Sequence, residues 1–148
     1  MATNGPAAGG RISAMQKATL AIGVVFVFAG VLGFIPGITV GYDAMTFAGH
    51  HSGALLVGLF KVSILHNIVH LLYGVAGILA SRSFAGARVY LIAGGISYLL
   101  LVVYGLTIDH GSRANFVPLN NADNWLHLGL GIAMVSLGVL LARPKATP

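Results

Sequence analysis

Four apolar runs, each approaching the length needed to cross a bilayer and each nearly free of charge, dominate this chain: about Ala18 to Ile35, Ala54 to Ala80, Val89 to Ile108 and Ala122 to Ala142. A hydrocarbon core about 30 Å thick calls for roughly 20 apolar residues in a helix, because a helix satisfies its backbone amides within one segment. Of the 148 residues, 57% are hydrophobic and 7% charged, where soluble domains carry about 25% charged residues. The expected fold is an all-α membrane protein, a four-transmembrane-helix bundle made of two hairpins. It occupies residues 18–142 as a single domain, between a flexible tail at 1–17 and a short tail at 143–148.

The connections support that division. Arg11 and Lys17 precede the first run as they would a secretory leader, but the run is longer than a leader's apolar stretch and lacks a small-residue cleavage pattern. It reads as a retained helix ending near Pro36-Gly37. Residues 36–53, with Pro36, several glycines, Asp43 and His50-His51, have loop chemistry. Ser81 to Arg88 is a polar connection of the right length for an antiparallel helical hairpin. Asn120 and Asn121 are placed to cap the last helix, and Asp123 complements its positive end.

Arg11, Lys17, Arg82, Arg88, Arg143 and Lys145 fall on one side of this layout and Arg113 alone on the other. The positive-inside bias then puts both termini in the cytoplasm, for a multi-pass protein of the cell (inner) membrane. Lys61, inside the second run near its outer end, is expected to snorkel toward the interface, and Trp125 to join the outer aromatic belt. The chain has no Cys, which removes disulfides, thiolate metal sites and iron-sulfur ligation. Its net charge of +5 is spread singly beside the apolar runs, so no nucleic-acid partner is expected. The expected partners are the lipid bilayer and either other membrane proteins or a second copy.

Two stretches interrupt the oil with one pattern. His66-Asn67-Ile68-Val69-His70-Leu71-Leu72-Tyr73-Gly74 and Asp123-Asn124-Trp125-Leu126-His127-Leu128-Gly129-Leu130-Gly131 each read as a polar residue, then N-x-[VL]-H-L-x-x-G. Residues three or four apart share a helical face, so Asn67 and His66 each project with His70, and Asn124 projects with His127. An unpaired amide in apolar surroundings costs roughly 2 to 7 kcal/mol, so a matched Asn and His in each half points to a shared polar centre of Asn67, Asn124 and Asp123 with the histidines. With this topology the two copies form a parallel repeat. The first and third runs match only loosely, in scattered glycines and aromatics.

Two uses of that centre follow. It can fix the register between the second and fourth helices, or it can be a site in which His66, His70 and His127 bind a cofactor or small ligand, a b-type haem being the sharpest version. Taking about 1.5 Å of rise per residue, His70 stands roughly 18 Å above Arg82, and His66 and His127 stand roughly 24 Å above Arg82 and Arg143. The repeat thus pairs His70 with His127, while depth pairs His66 with His127. His50, His51 and His110 lie in loops with Asp43 and Asp109 at no recognisable metal spacing, so no metal site is expected. No catalytic motif is present, and enzymatic activity is not expected.

The runs Leu65 to Gly77 and Asn115 to Gly129 resemble the signatures of a family of small four-span actinobacterial membrane proteins catalogued only as a domain of unknown function. The resemblance extends from about the first run to Ala142. It implies an integral membrane protein of the cell envelope and brings no established activity, substrate or catalytic residue. The expectation is a non-enzymatic structural or accessory component of the cell envelope, with a protein that binds b-type haem or another small ligand through His66, His70 and His127 as the alternative.

Overall fold

The computed structural model describes residues 12–142. Residues 1–11 of the expected tail, the tail 143–148, and with them Arg11, Arg143 and Lys145 of the charge count lie outside the described residues. Four helices make up the body: α1 (Ala14–Leu32), α2 (Ile64–Ala80), α3 (Phe84–Thr107) and α4 (Asn121–Leu140). Among the described residues α1, α3 and α4 are each long and apolar enough to cross a membrane, and α2 is apolar but shorter.

Helix α1 starts earlier than the apolar run because Ser13 builds a capping box. Its hydroxyl accepts from the Gln16 N–H at 3.2 Å, while its own N–H donates to the Gln16 side chain at 3.1 Å. Residues 13–17, expected in a tail, therefore belong to the cap and first turn of a helix.

The second apolar run is not one helix. Its first part forms β2 (Leu55–Leu56) and β3 (Phe60–Lys61), which join β1 (Thr39–Val40) in a small antiparallel sheet of order β1-β2-β3. Val57 (φ 47°) and Gly58 (φ 73°) both adopt left-handed backbone between β2 and β3, reversing the chain where a helix would have to continue. Helix α2 starts only after Ser63, whose hydroxyl accepts from the His66 N–H. Lys61 is consequently a strand residue whose Nζ donates to the His50 carbonyl at 2.7 Å, not a snorkelling residue on a span. Ala54, Leu56 and Val62 form a small core of their own with Leu32, Ile38, Met45 and Phe60, so the sheet caps one end of the bundle.

The helices pack as two tight pairs, α1 with α2 and α3 with α4, while contact between the pairs is far thinner and runs mainly from α1 to α3. Glycine makes each pair tight. A Cβ on Gly23 would lie 2.9 Å from the Gly74 carbonyl oxygen, and a Cβ on Gly95 would lie 2.9 Å from that of Gly131. Farther along, Gly33 faces the Asn67 carboxamide and Gly105 faces that of Asn124, so closely that an added Cβ would fall inside the amide. Phe26 meets His70 with ring centroids 5.7 Å apart, and Tyr98 meets His127 at 5.0 Å. Ser63 caps α2 and Asn120 caps α4, each four residues before its asparagine.

These contacts relate the two hairpins as copies. The match between α1 and α3 that was only loose in sequence becomes specific: Gly23, Phe26 and Gly33 have the same spacing as Gly95, Tyr98 and Gly105, and each meets the corresponding residue of its partner helix. The copies join through a buried core of Met15, Phe26, Ala87, Tyr90, Leu91, Tyr98 and Met134. Thr19 donates to the Ala87 carbonyl at 3.3 Å across the same seam.

Gly23→Ala and Gly95→Ala should each destabilise the protein by about 1–3 kcal/mol, the usual cost of forcing an atom into a packed contact. Gly129→Ala, at a position with open space around the added methyl, should instead be neutral or stabilising by up to about 1 kcal/mol through helix propensity. Thermal unfolding in detergent, followed by circular dichroism, separates the two outcomes.

Candidate functional site

Capping by Ser63 sets the rotation of α2, and with it His66 and His70 turn toward the space between the hairpins. Their Nε2 atoms lie 3.2 Å apart, so one imidazole donates to the other. The acceptor of that bond must carry its proton on Nδ1, and both Nδ1 atoms are buried without a partner. His127 enters from α4 against the ring of Tyr98 and is 3% exposed, with its Nδ1 likewise buried and unpartnered. Phe26 stacks on Tyr98 at 5.5 Å with planes 18° apart, and Tyr73 meets both rings edge-on.

His66, His70, Tyr98 and His127 form a wall between two chambers. The first, about 290 Å³, lies between α1 and α4 under the sheet, bounded by Val25, Phe26 and Ala29 on one side and Leu126 and Leu130 on the other. The second, about 190 Å³, lies between α2 and α3 with Val69, Leu101 and Pro118 in its lining. The repeat relates them, since Ala29 corresponds to Leu101 and Leu126 to Val69.

The sequence-expected centre is thus only partly assembled. The three histidines line the same chambers, so the choice between pairing by repeat and pairing by depth does not arise. The asparagines do not join them. Asn67 is fully buried beside Gly33, its Nδ2 reaching the Met45 sulfur at 3.9 Å and its Oδ1 unpartnered. Asn124 is buried beside Gly105 with neither amide atom paired. Each carboxamide serves its own hairpin, because the glycine opposite leaves a gap that a short planar side chain fills.

Asp123 stands at the rim of the first chamber as a latch. Its Oδ2 accepts from the Asn120 N–H at 2.9 Å and from the Lys61 N–H at 3.1 Å, while Asn120 Nδ2 donates to the Leu59 carbonyl at 2.9 Å. Asn120 caps α4 as expected, Asn121 is instead its first helical residue, and Asp123, expected only to complement the positive end, completes a capping box and fastens β3 to the start of α4.

Phe26 was missed, since one aromatic in an apolar run carries no polar signal. Its spacing from Gly23 and Gly33, matched by Tyr98 between Gly95 and Gly105, was the available clue. Among the other hydroxyls, Tyr73 is buried over Gly94, Ser97 donates to Ala93 within its helix, and Tyr104 donates to the Ala114 carbonyl in the loop. The His50 and His51 rings lie tilted against each other, centroids 3.8 Å apart, in the cap, where desolvation, then His51 and Lys61, hold the His50 imidazole below its ordinary value. His110 Nε2 is bound to the Gly105 carbonyl at 2.7 Å. Among the described residues no three His, Cys, Asp or Glu side chains are placed to hold a metal ion.

Residues 16–140 match a family model described as "Domain of unknown function (DUF4383)". No curated protein and no solved structure matches the chain.

Gly105→Ala should cost about 1–3 kcal/mol by driving the Asn124 amide out of its seat. Adding Asn124→Ala should recover part of that loss, a coupling that a double-mutant cycle in detergent measures directly. Asp123→Ala should lower stability by about 1 kcal/mol through loss of the cap and raise amide exchange at Lys61, where the same oxygen holds the strand.

Proposed function

The chain belongs to the DUF4383 family, a domain of unknown function, and from its geometry we propose a multi-pass protein of the cell (inner) membrane that binds a small, mainly apolar molecule as a non-enzymatic accessory component. Helix α2 packs against α1 along the bundle. Its 17 residues rise about 25 Å at about 1.5 Å each, enough to cross with the other three when the sheet covers its start. The positive residues of the connections favour cytoplasmic termini.

One observation carries the binding reading: a chamber of about 290 Å³, walled by aliphatic side chains of two helices, onto which three imidazoles and a tyrosine converge. Small-molecule sites have this character, an apolar lining with a few placed polar groups, and the volume is near the lower end of their usual range of about 300–1,000 Å³. A purely structural core would be filled by leucine, since an interhelical hydrogen bond in a membrane contributes only about 0.6 kcal/mol. The structural duties of this fold belong to the glycines, the asparagines and the Asp123 latch, which leaves the histidines for the chamber.

A b-type haem is the competing occupant, favoured by three histidines on one wall. His127 with either His66 or His70 would hold it, which would require the hydrogen bond between His66 and His70 to break.

Protein purified in mild detergent should release a small apolar compound at near one per chain on solvent extraction, measured by mass spectrometry. Ala29→Phe, which fills the chamber from α1, should remove the compound while leaving the helix content intact. A Soret band abolished by His127→Ala would decide for haem. A protein that releases nothing, shows no such band, and gains no thermal stability from a membrane-lipid extract would sink the binding reading.

A further inference from the structure

The chemistry of the chamber narrows its occupant, on the premise that the binding reading above holds. Among the described residues neither Lys nor Arg lines either chamber, and the first has Asp123 at its rim. A phosphate or carboxylate placed there would face no cation and lose its water, which apolar surroundings penalise heavily. An ammonium there would lose its water as well, with only the already hydrogen-bonded Asp123 carboxylate at the rim to offset the loss, so a neutral occupant fits the apolar lining best.

It also needs groups that pair with imidazole. His127 is 3% exposed, lines both chambers, and has its Nδ1 unpartnered. A neutral imidazole has one N–H and one bare nitrogen, so a change of tautomer lets the same ring donate to a carbonyl or accept from a hydroxyl. Phe26 and Tyr98 both line the first chamber and supply aromatic surface for a ring to meet, face-on or edge-on. On the lipid side the lining includes Val25, 61% exposed, and Leu126, 40% exposed, from two helices that touch little. A hydrocarbon tail can leave there directly into the bilayer.

We propose that the first chamber takes a neutral, tailed ring lipid of the quinone–quinol class, its ring against Phe26 and Tyr98, its oxygen toward His127, and its tail passing between α1 and α4. The site binds either oxidation state, because the imidazole that donates to a quinone carbonyl accepts from a quinol hydroxyl.

Three probes of graded chemistry test this on the full chain in detergent: a naphthoquinone bearing one isoprenoid unit, hexadecanol as a neutral hydroxyl without a ring, and oleate as an anion. The naphthoquinone should raise the unfolding temperature saturably and bind at least tenfold more tightly than the other two. His127→Leu and Ala29→Phe should each weaken it at least tenfold; should one of these fail to fold, the other still decides. Oleate or hexadecanol binding as tightly as the naphthoquinone, or a naphthoquinone affinity unmoved by either folded variant, would overturn the assignment while leaving the chamber a binding site. If none of the three binds but an apolar compound co-purifies, the quinone class alone is wrong. If nothing binds and nothing co-purifies, the binding reading fails with it.

Discussion

Backbone meets backbone where Gly23 lies on Gly74 and Gly95 on Gly131, and the architecture follows from that closeness. Between helices in hydrocarbon there is no hydrophobic drive to associate, so attraction comes from dispersion at short range and is lost when side chains hold the axes apart. Glycine removes that obstruction. Each hairpin becomes a tight unit, and since the glycines at the seam between the hairpins, Gly77 and Gly94, face the side chains of Tyr90 and Tyr73 instead of backbone, the units touch less closely. Open volume in the bundle is left between them, where the two chambers lie.

The polar groups sort themselves by the same division. Inside a hairpin, where the gap opposite Gly33 or Gly105 is narrow and flat, a carboxamide fits and a larger ring does not. Between hairpins there is room for imidazole and phenol, and His66, His70, Tyr98 and His127 gather there. The sheet closes the first chamber at one end, held by the Lys61 N–H donating to the Asp123 carboxylate and by Asn120 Nδ2 donating to the Leu59 carbonyl. Cap, rim and helix start are thus mechanically linked, so a change in the seating of β3 is felt at the edge of the chamber.

The two halves are alike in contact and unlike in cover. The connection from α1 to α2 folds into a three-stranded sheet, and that from α3 to α4 is an irregular loop held by Asn115, which bonds Leu119 on both sides of its amide. Repeated hairpins supply repeated chambers, and the unequal covers make the chambers unequal: only the first has the sheet above it and Phe26 on its wall.

Apolar run length and scarcity of charge were enough to read the helical class, a short hairpin connection after Ala80 and the cap at Asn120, because each depends on neighbours within a few positions; the connection itself is only Ser81–Ser83, since Ser83 caps α3 and residues 84–88, expected in the loop, are its first turns. Run length could not tell that Ala54–Lys61 turns back on itself, since an apolar stretch serves a strand as well as a helix and left-handed backbone at Val57 has no sequence signature. Nor could the N-x-[VL]-H motif reveal that its two members part company. Asn67 and His70 share a helical face to within one turn, but which neighbour each meets depends on how closely two axes approach. That distance is set by glycines on another segment, and only the assembled packing decides it.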